Sequence, residues 1–222
     1  MEETIRAIRT DLRLSMNGPV AAGIRKMGIS YRMIFGVDIP RLQLISRKYE
    51  LSTALAERLW NEDVRELKIL ATLLYPPGEM GMETANRWVE QIGNQELREQ
   101  ACKNLFEKLP FANEAVEDWS GREEIEIRAT GYWLFARLCI SGSALVDKVD
   151  SVQVLQRAVV DLKADSPILY QSALGALRFF GRTSRQWSDW VLREVSSFES
   201  SSCPREREMY DQLNCEFDYL TG

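Results

Sequence analysis

A chain of 222 residues with 45% hydrophobic side chains can build one large core or two small ones, and its formal charge of −5 gives no general pull toward a polyanion. The absence of histidine excludes Ser-His-Asp and Cys-His nucleophilic sites and histidine-ligated metals, and four scattered cysteines without a CxxC pair make no zinc site. Charges run through the N-terminal segment and no long apolar stretch is free of them, so the expectation is a cytoplasmic chain with reduced thiols, no metal, no cofactor and no membrane span.

Strand signals are almost absent, because no run alternates with period two and no hairpin turn joins two such runs. Apolar residues recur at helical spacing over 2–14, 18–28, 40–50, 51–59, 61–75, 82–92, 95–108, 111–118, 121–141, 150–163, 167–181, 184–199 and 204–220. The breaks fall at glycine, proline and Ser/Asp caps. Pro40, Pro167 and Pro204 stand where a first helical turn tolerates them, and "YPPGEMG" (75–81) is the clearest loop. Short helices joined by short turns predict an all-α solenoid of antiparallel helix pairs, with successive pairs spaced as in a HEAT-type array and one domain spanning 1–222. No sequence repeat is visible, so an irregular helical bundle is the plain alternative.

One segment poses a sharper question. "SGREEIEIRATGYWLFARLCI" (120–140) is apolar around nearly its whole circumference between Ile127 and Ile140, with only Arg128 and Arg137 charged. Apolarity on two sides predicts an inner helix, packed on both flanks. An arginine there needs an anion, since a guanidinium stripped of water is costly unless paired. Elsewhere, basic side chains gather at Arg25, Lys26 and Arg32, at Arg41, Arg47 and Lys48, and at Arg178, Arg182 and Arg185. Taken singly, such clusters are usually solvated faces. The six tryptophans stand at helical spacing among Leu, Ile and Ala, which favours core packing over base stacking.

Three stretches carry a resemblance. "FGVDIPRLQLI" (35–45), "LWNEDVRELKILATLL" (59–74) and "DWSGREEIEIRATGYWLFARL" (118–138) are similar, in order and spacing, to segments of the HEAT-like-repeat DNA alkylation repair enzymes, the AlkD family. The resemblance implies a right-handed superhelix of helix pairs. It also implies duplex DNA held on a concave basic face and excision of cationic N3- and N7-alkylpurines, without the base flipping most glycosylases use. It places Arg128 against DNA with a phosphate as its missing anion and matches Arg178 to a family arginine; Arg182, at i+4 from Arg178 on one helix, extends a basic ridge, and the three are expected to converge on one concave DNA-binding surface. Arg65, Glu66 and Lys68 become either an inter-helix ion-pair lattice or a DNA-facing row.

The chain departs from the family pattern at its aromatic positions. Gln95 falls on one cleft tryptophan, Gly175 on another, and Ile24 near a cleft tyrosine. The family's catalytic aspartate falls on Glu99, or on Gln100 if the register shifts by one. Glu99 is the expected catalytic carboxylate, there to stabilise an oxocarbenium-like sugar. Its alternative is a helix-surface pairing with Lys103. Three functions stay open: an alkylpurine glycosylase, a catalytically silent DNA-binding protein, and a HEAT-like scaffold with a protein partner.

Overall fold

The computed structural model describes residues 1–218. These form thirteen α-helices and four short 3-10 turns, and the described residues hold no strand beyond one isolated Met33–Val64 bridge. The chain divides into two compact units. The first comprises Met1–Ala85 and Gly93–Pro110; the second comprises Asn86–Ile92 and the chain from Phe111 onward.

The first unit contains α1 (Glu2–Leu14), α2 (Gly18–Lys26), α3 (Ile39–Ser46), α4 (Thr53–Trp60), α5 (Arg65–Leu74), the start of α6 (Met82–Val89) and α7 (Gln95–Asn104). Side chains that accept a backbone N–H start four of these helices: Asn17, Asp38, Ser52 and Asn94. The Ser52 N–H donates to the Leu74 carbonyl, which sets the start of α4 beside the end of α5 and makes them an antiparallel pair. Leu59, Trp60, Leu67, Leu70 and Ala71 are fully buried between them.

A buried carboxylate organises this unit. Glu66, fully enclosed, accepts from the backbone amides of Phe35, Gly36 and Val37 at 3.0, 2.9 and 3.3 Å, and from Arg65 Nη1 at 2.8 Å. Arg65 also donates to the Val37 carbonyl and grips both oxygens of Glu96 at 2.7 and 2.6 Å. Burial opposes the Arg65 charge, but Glu96 and Glu66 outweigh it and hold its pKa above the ordinary guanidinium value. Gly36 makes the arrangement possible. Its φ is +76°, and a Cβ there would lie 2.1 Å from the Asn17 carbonyl oxygen. Of the two readings of Arg65 and Glu66, the ion-pair lattice is the one present. Lys68 sits 4.6 Å from the Trp60 ring centre and donates to the Trp60 carbonyl.

Helix α1 is held to the end of α3 by Asp11, which accepts from Lys48 Nζ at 2.8 Å and from the Tyr49 hydroxyl at 3.0 Å. The hydrogen bond from Lys48 keeps the Asp11 carboxyl below its usual range, and burial together with Asp11 pushes Tyr49 up to about 12.

The second unit contains the end of α6, then α8 (Ala112–Ser120), α9 (Ile125–Ser141), α10 (Ser151–Asp161), α11 (Pro167–Gly181), α12 (Arg185–Glu194) and α13 (Pro204–Asp218). Helix α8 pairs with α9, α10 pairs with α11, and α9 lies along α11. Thus α9 is flanked on two sides, which accounts for its apolar circumference; Tyr132, Leu134, Phe135 and Leu138 are fully buried. Gly131 lets α9 approach the end of α8, since a Cβ there would lie 2.4 Å from the Ser120 nitrogen.

Element boundaries differ from the sequence expectation where turns compete. Helix α5 begins at Arg65 rather than 61, because 61–64 is a turn whose backbone bridges Met33 and whose Asp63 side chain accepts from the Arg32 amide. Helix α9 begins at Ile125 rather than 121, after a turn in which the Arg122 carbonyl accepts from Arg128. The helix expected over 184–199 ends at Glu194 and is followed by a 3-10 turn, and the last two positions of the helix expected over 204–220 lie outside the described residues.

Two outcomes follow from the first unit. Replacing Glu66 with alanine leaves three buried amides without an acceptor, and urea unfolding is expected to show a loss of about 3–5 kcal/mol. Lys48→Met is expected to destabilise by no more than about 1 kcal/mol at neutral pH. Because Asp11 has a lowered folded pKa, this difference is present above the unfolded carboxyl value of about 3.9 and closes as the pH falls through the folded one. Unfolding curves recorded from neutral to acidic pH check it.

Candidate nucleic-acid interface

The expected basic residues of the second unit fall into three environments. Arg128, in the first turn of α9, has an internal anion: its Nη1 lies 3.1 Å from Asp161 Oδ1 at the end of α10, and its Nε donates to the Arg122 carbonyl at 2.6 Å. The Tyr132 hydroxyl donates to the same carboxylate at 2.7 Å, and burial, followed by that hydrogen bond, raises the Tyr132 pKa far above its ordinary value. Arg128 and Arg157 line a cavity of about 230 Å³ around Asp161. The anion required by Arg128 is thus present within the chain as a carboxylate.

Arg182 pairs with Glu216 of α13 at 2.9 Å, with nearly half its side chain exposed. Arg178 is different. Its guanidinium carbon lies 4.4 Å from the centre of the Phe179 ring, no carboxylate pairs with it among the described residues, and its Nε is buried with no hydrogen-bond partner. Arg182 reaches the same ring at 6.0 Å, so Phe179 brings Arg178 and Arg182 together. Arg128 is not in this group; it lines the Asp161 cavity instead.

Beside Arg178 on α11 lies Gly175. Trp133 of α9 rests against it, with an indole carbon 3.8 Å from where a glycine Cβ would be. The sequence places a glycine where the family pattern has a tryptophan, and here an indole from the neighbouring helix covers that glycine. Trp133 is only partly buried, and its Nε1–H is enclosed without an acceptor. Buried donors without partners are uncommon in folded proteins. Two of them, Trp133 Nε1 and Arg178 Nε, belong to the adjacent helices α9 and α11. The expectation that tryptophans pack in the core holds for Trp60, Trp88 and Trp119, which are fully enclosed, and not for Trp133, Trp187 and Trp190, which are partly exposed.

In the first unit, Glu99 on α7 is partly exposed and accepts from Gln95 Nε2 at 2.9 Å, while Gln95 in turn accepts from Arg98. Gln95 therefore orients the carboxylate one turn along the same helix, and the pairing with Lys103 is not the bond present. Gln100 accepts from Asn104.

A cavity of about 700 Å³ in the second unit is lined by Phe180, Trp187, Cys139, Asp147 and Asp150. Its charged lining is acidic, the wrong sign for a phosphate. Burial pushes the Cys139 thiol up to about 12, which leaves it unreactive at neutral pH. Among the described residues no group of three or more Cys, Asp or Glu side chains is placed to hold a metal ion, and no helix is long and apolar enough to cross a membrane.

Sequence reasoning reached Arg178 and Arg182 through their i, i+4 spacing. It read Trp133 as core, although its spacing from Arg137 marks a shared helix face. Nothing in the sequence pointed to Asp161, which meets Arg128 only through packing, or to Arg157, which lines the same cavity.

Successive helix pairs packed side by side are the architecture of a HEAT-like-repeat protein. The chain belongs to the family of the DNA alkylation repair enzyme, whose model matches residues 8–201. Among solved structures it is similar to one described as "a new family of proteins related to the HEAT-like repeat DNA glycosylases with affinity for branched DNA structures", with a TM-score of 0.77 and 13% identity over 96% of this chain and 94% of that one. At that identity the likeness concerns the fold. No curated protein matches the chain.

Proposed function

We propose that this member of the alkylation repair family binds DNA through the α9–α11 face of its second unit, with Arg178 as the principal phosphate contact. The observation that carries the reading is the state of Arg178: an arginine lying over the Phe179 ring, with no carboxylate partner among the described residues and a buried Nε lacking an acceptor. Contact with the ring restrains the guanidinium, so less conformational freedom is lost when it meets a phosphate. Arg182, nearly half exposed, adds a second cation once a phosphate competes with Glu216. Arg128 contributes less, because Asp161 already neutralises it. Trp133 offers an aromatic edge beside these charges, suited to a base that has left its stack. Because the fold neighbour is described as having affinity for branched structures, a four-way junction belongs beside linear duplex as a substrate.

Fluorescence anisotropy over a salt series tests this. Wild type is expected to bind at low ionic strength with affinity falling linearly in log–log terms. Arg178→Ala should reduce the slope by about 1, and Arg128→Ala by less. Absence of DNA binding at low salt would leave the scaffold role.

Excision of a cationic alkylpurine would rest on Glu99, whose carboxylate Gln95 orients. A positively charged base is already a good leaving group, so the chemistry asks for anionic stabilisation of the sugar rather than leaving-group protonation. Release of 7-methylguanine from alkylated duplex by wild type, abolished in Glu99→Gln, is the expected result of an active enzyme. Equal release by both proteins removes Glu99 from the chemistry, and no release by wild type leaves a DNA-binding protein without glycosylase activity.

A further inference from the structure

A second concentration of positive charge lies in the first unit, on α1. Arg6, Arg9 and Arg13 are three and four residues apart and so share one helix face. Arg58 of α4 joins them around a cavity of about 280 Å³ whose only acids are Glu2 and Glu62. Glu62 bonds Arg9 at 3.1 Å and Arg58 at 2.5 Å, with its own side chain 23% exposed, and so holds two guanidinium groups side by side. Arg6 and Arg13 are exposed and have no ion pair among the described residues. The opposite face of α1 is anchored: Ile8 and Leu12 are fully buried and Asp11 is tied to Lys48 and Tyr49. The arginines are therefore carried on a fixed rod.

The spacing suits a repeating anion. Seven residues of α-helix span about 10 Å. Along one strand of B-form DNA the charge repeats at every phosphate, about 3.4 Å of helix axis apart on a winding path, so a row of this length meets more than one phosphate. A single carboxylate ligand would engage one guanidinium of the row and leave the others unanswered. In a chain of net charge −5, a face on which four arginines meet two glutamates is a local reversal of sign.

We propose that this α1 face is a second DNA-backbone contact, in which successive phosphodiesters meet Arg6, the Glu62-ordered pair Arg9 and Arg58, and Arg13. The inference rests on the DNA-binding reading given above and adds to it a surface that this reading does not use. The test is anisotropy of a labelled four-way junction over a salt series with wild type, Arg6→Ala/Arg13→Ala, Arg6→Lys/Arg13→Lys and Arg178→Ala. Two lost phosphate contacts should reduce the log–log slope by about 1.8 in the double alanine variant. The double lysine variant, which keeps the charge, should restore most of it. An unchanged slope in the double alanine variant, with Arg178→Ala still lowering it, overturns the α1 contact and leaves DNA binding by the second unit standing. No binding of the junction by wild type at low salt overturns both.

Discussion

The first unit depends on the enclosure of one carboxylate. Glu66 has no access to water, so its charge must be answered inside the fold, and three consecutive amides together with Arg65 answer it. The amides belong to the segment 35–37, thirty residues earlier in the chain. Their convergence requires a left-handed Gly36, which in turn lies against the backbone of Asn17, the cap of α2. Arg65 carries the network on to Glu96 at the start of α7. One buried charge thereby fixes the loop before α3, the first turn of α5 and the first turn of α7 in a single arrangement.

In the second unit the distribution of carboxylates decides which arginines are available to a ligand. Arg128, Arg178 and Arg182 are equivalent as residue types, yet Asp161 answers the first and Glu216 the third. An anionic ligand at either of those would have to displace a carboxylate, whereas Arg178 has none among the described residues. Asp161 also binds the enclosed Tyr132 hydroxyl, so the Arg128 pair is part of the packing of α9 against α10 as well as a surface charge.

Much of the architecture was legible before any coordinates. Breaks at glycine, proline and Ser/Asp caps were expected, but the capping residue itself was not: Ser52, Asp150 and Ser184 fell inside the expected helices and instead cap α4, α10 and α12 from just outside. The apolar circumference of α9 announced a helix flanked on both sides, and α8 and α11 flank it. The stretches 35–45 and 59–74, read as separate family marks, turn out to be two halves of the Glu66 site. The turns at 61–64 and 121–124 were missed because each is held by partners distant in sequence or by a side chain reaching back, and helical periodicity carries no sign of either.

The sequence by itself determined what depends on neighbours along the chain: helix class, the two-sided packing of α9, and the i, i+4 ridge of Arg178 and Arg182. Only the tertiary structure decided which charges are paired. Asp161 is thirty-three residues from Arg128, and Trp133 reaches Gly175 from a different helix. Likewise Glu62 joins Arg9 to Arg58 across two helices. Ion pairing and ring contact fall off within a few ångströms of space, and helical periodicity specifies which residues share a face but not which face of another helix will meet it.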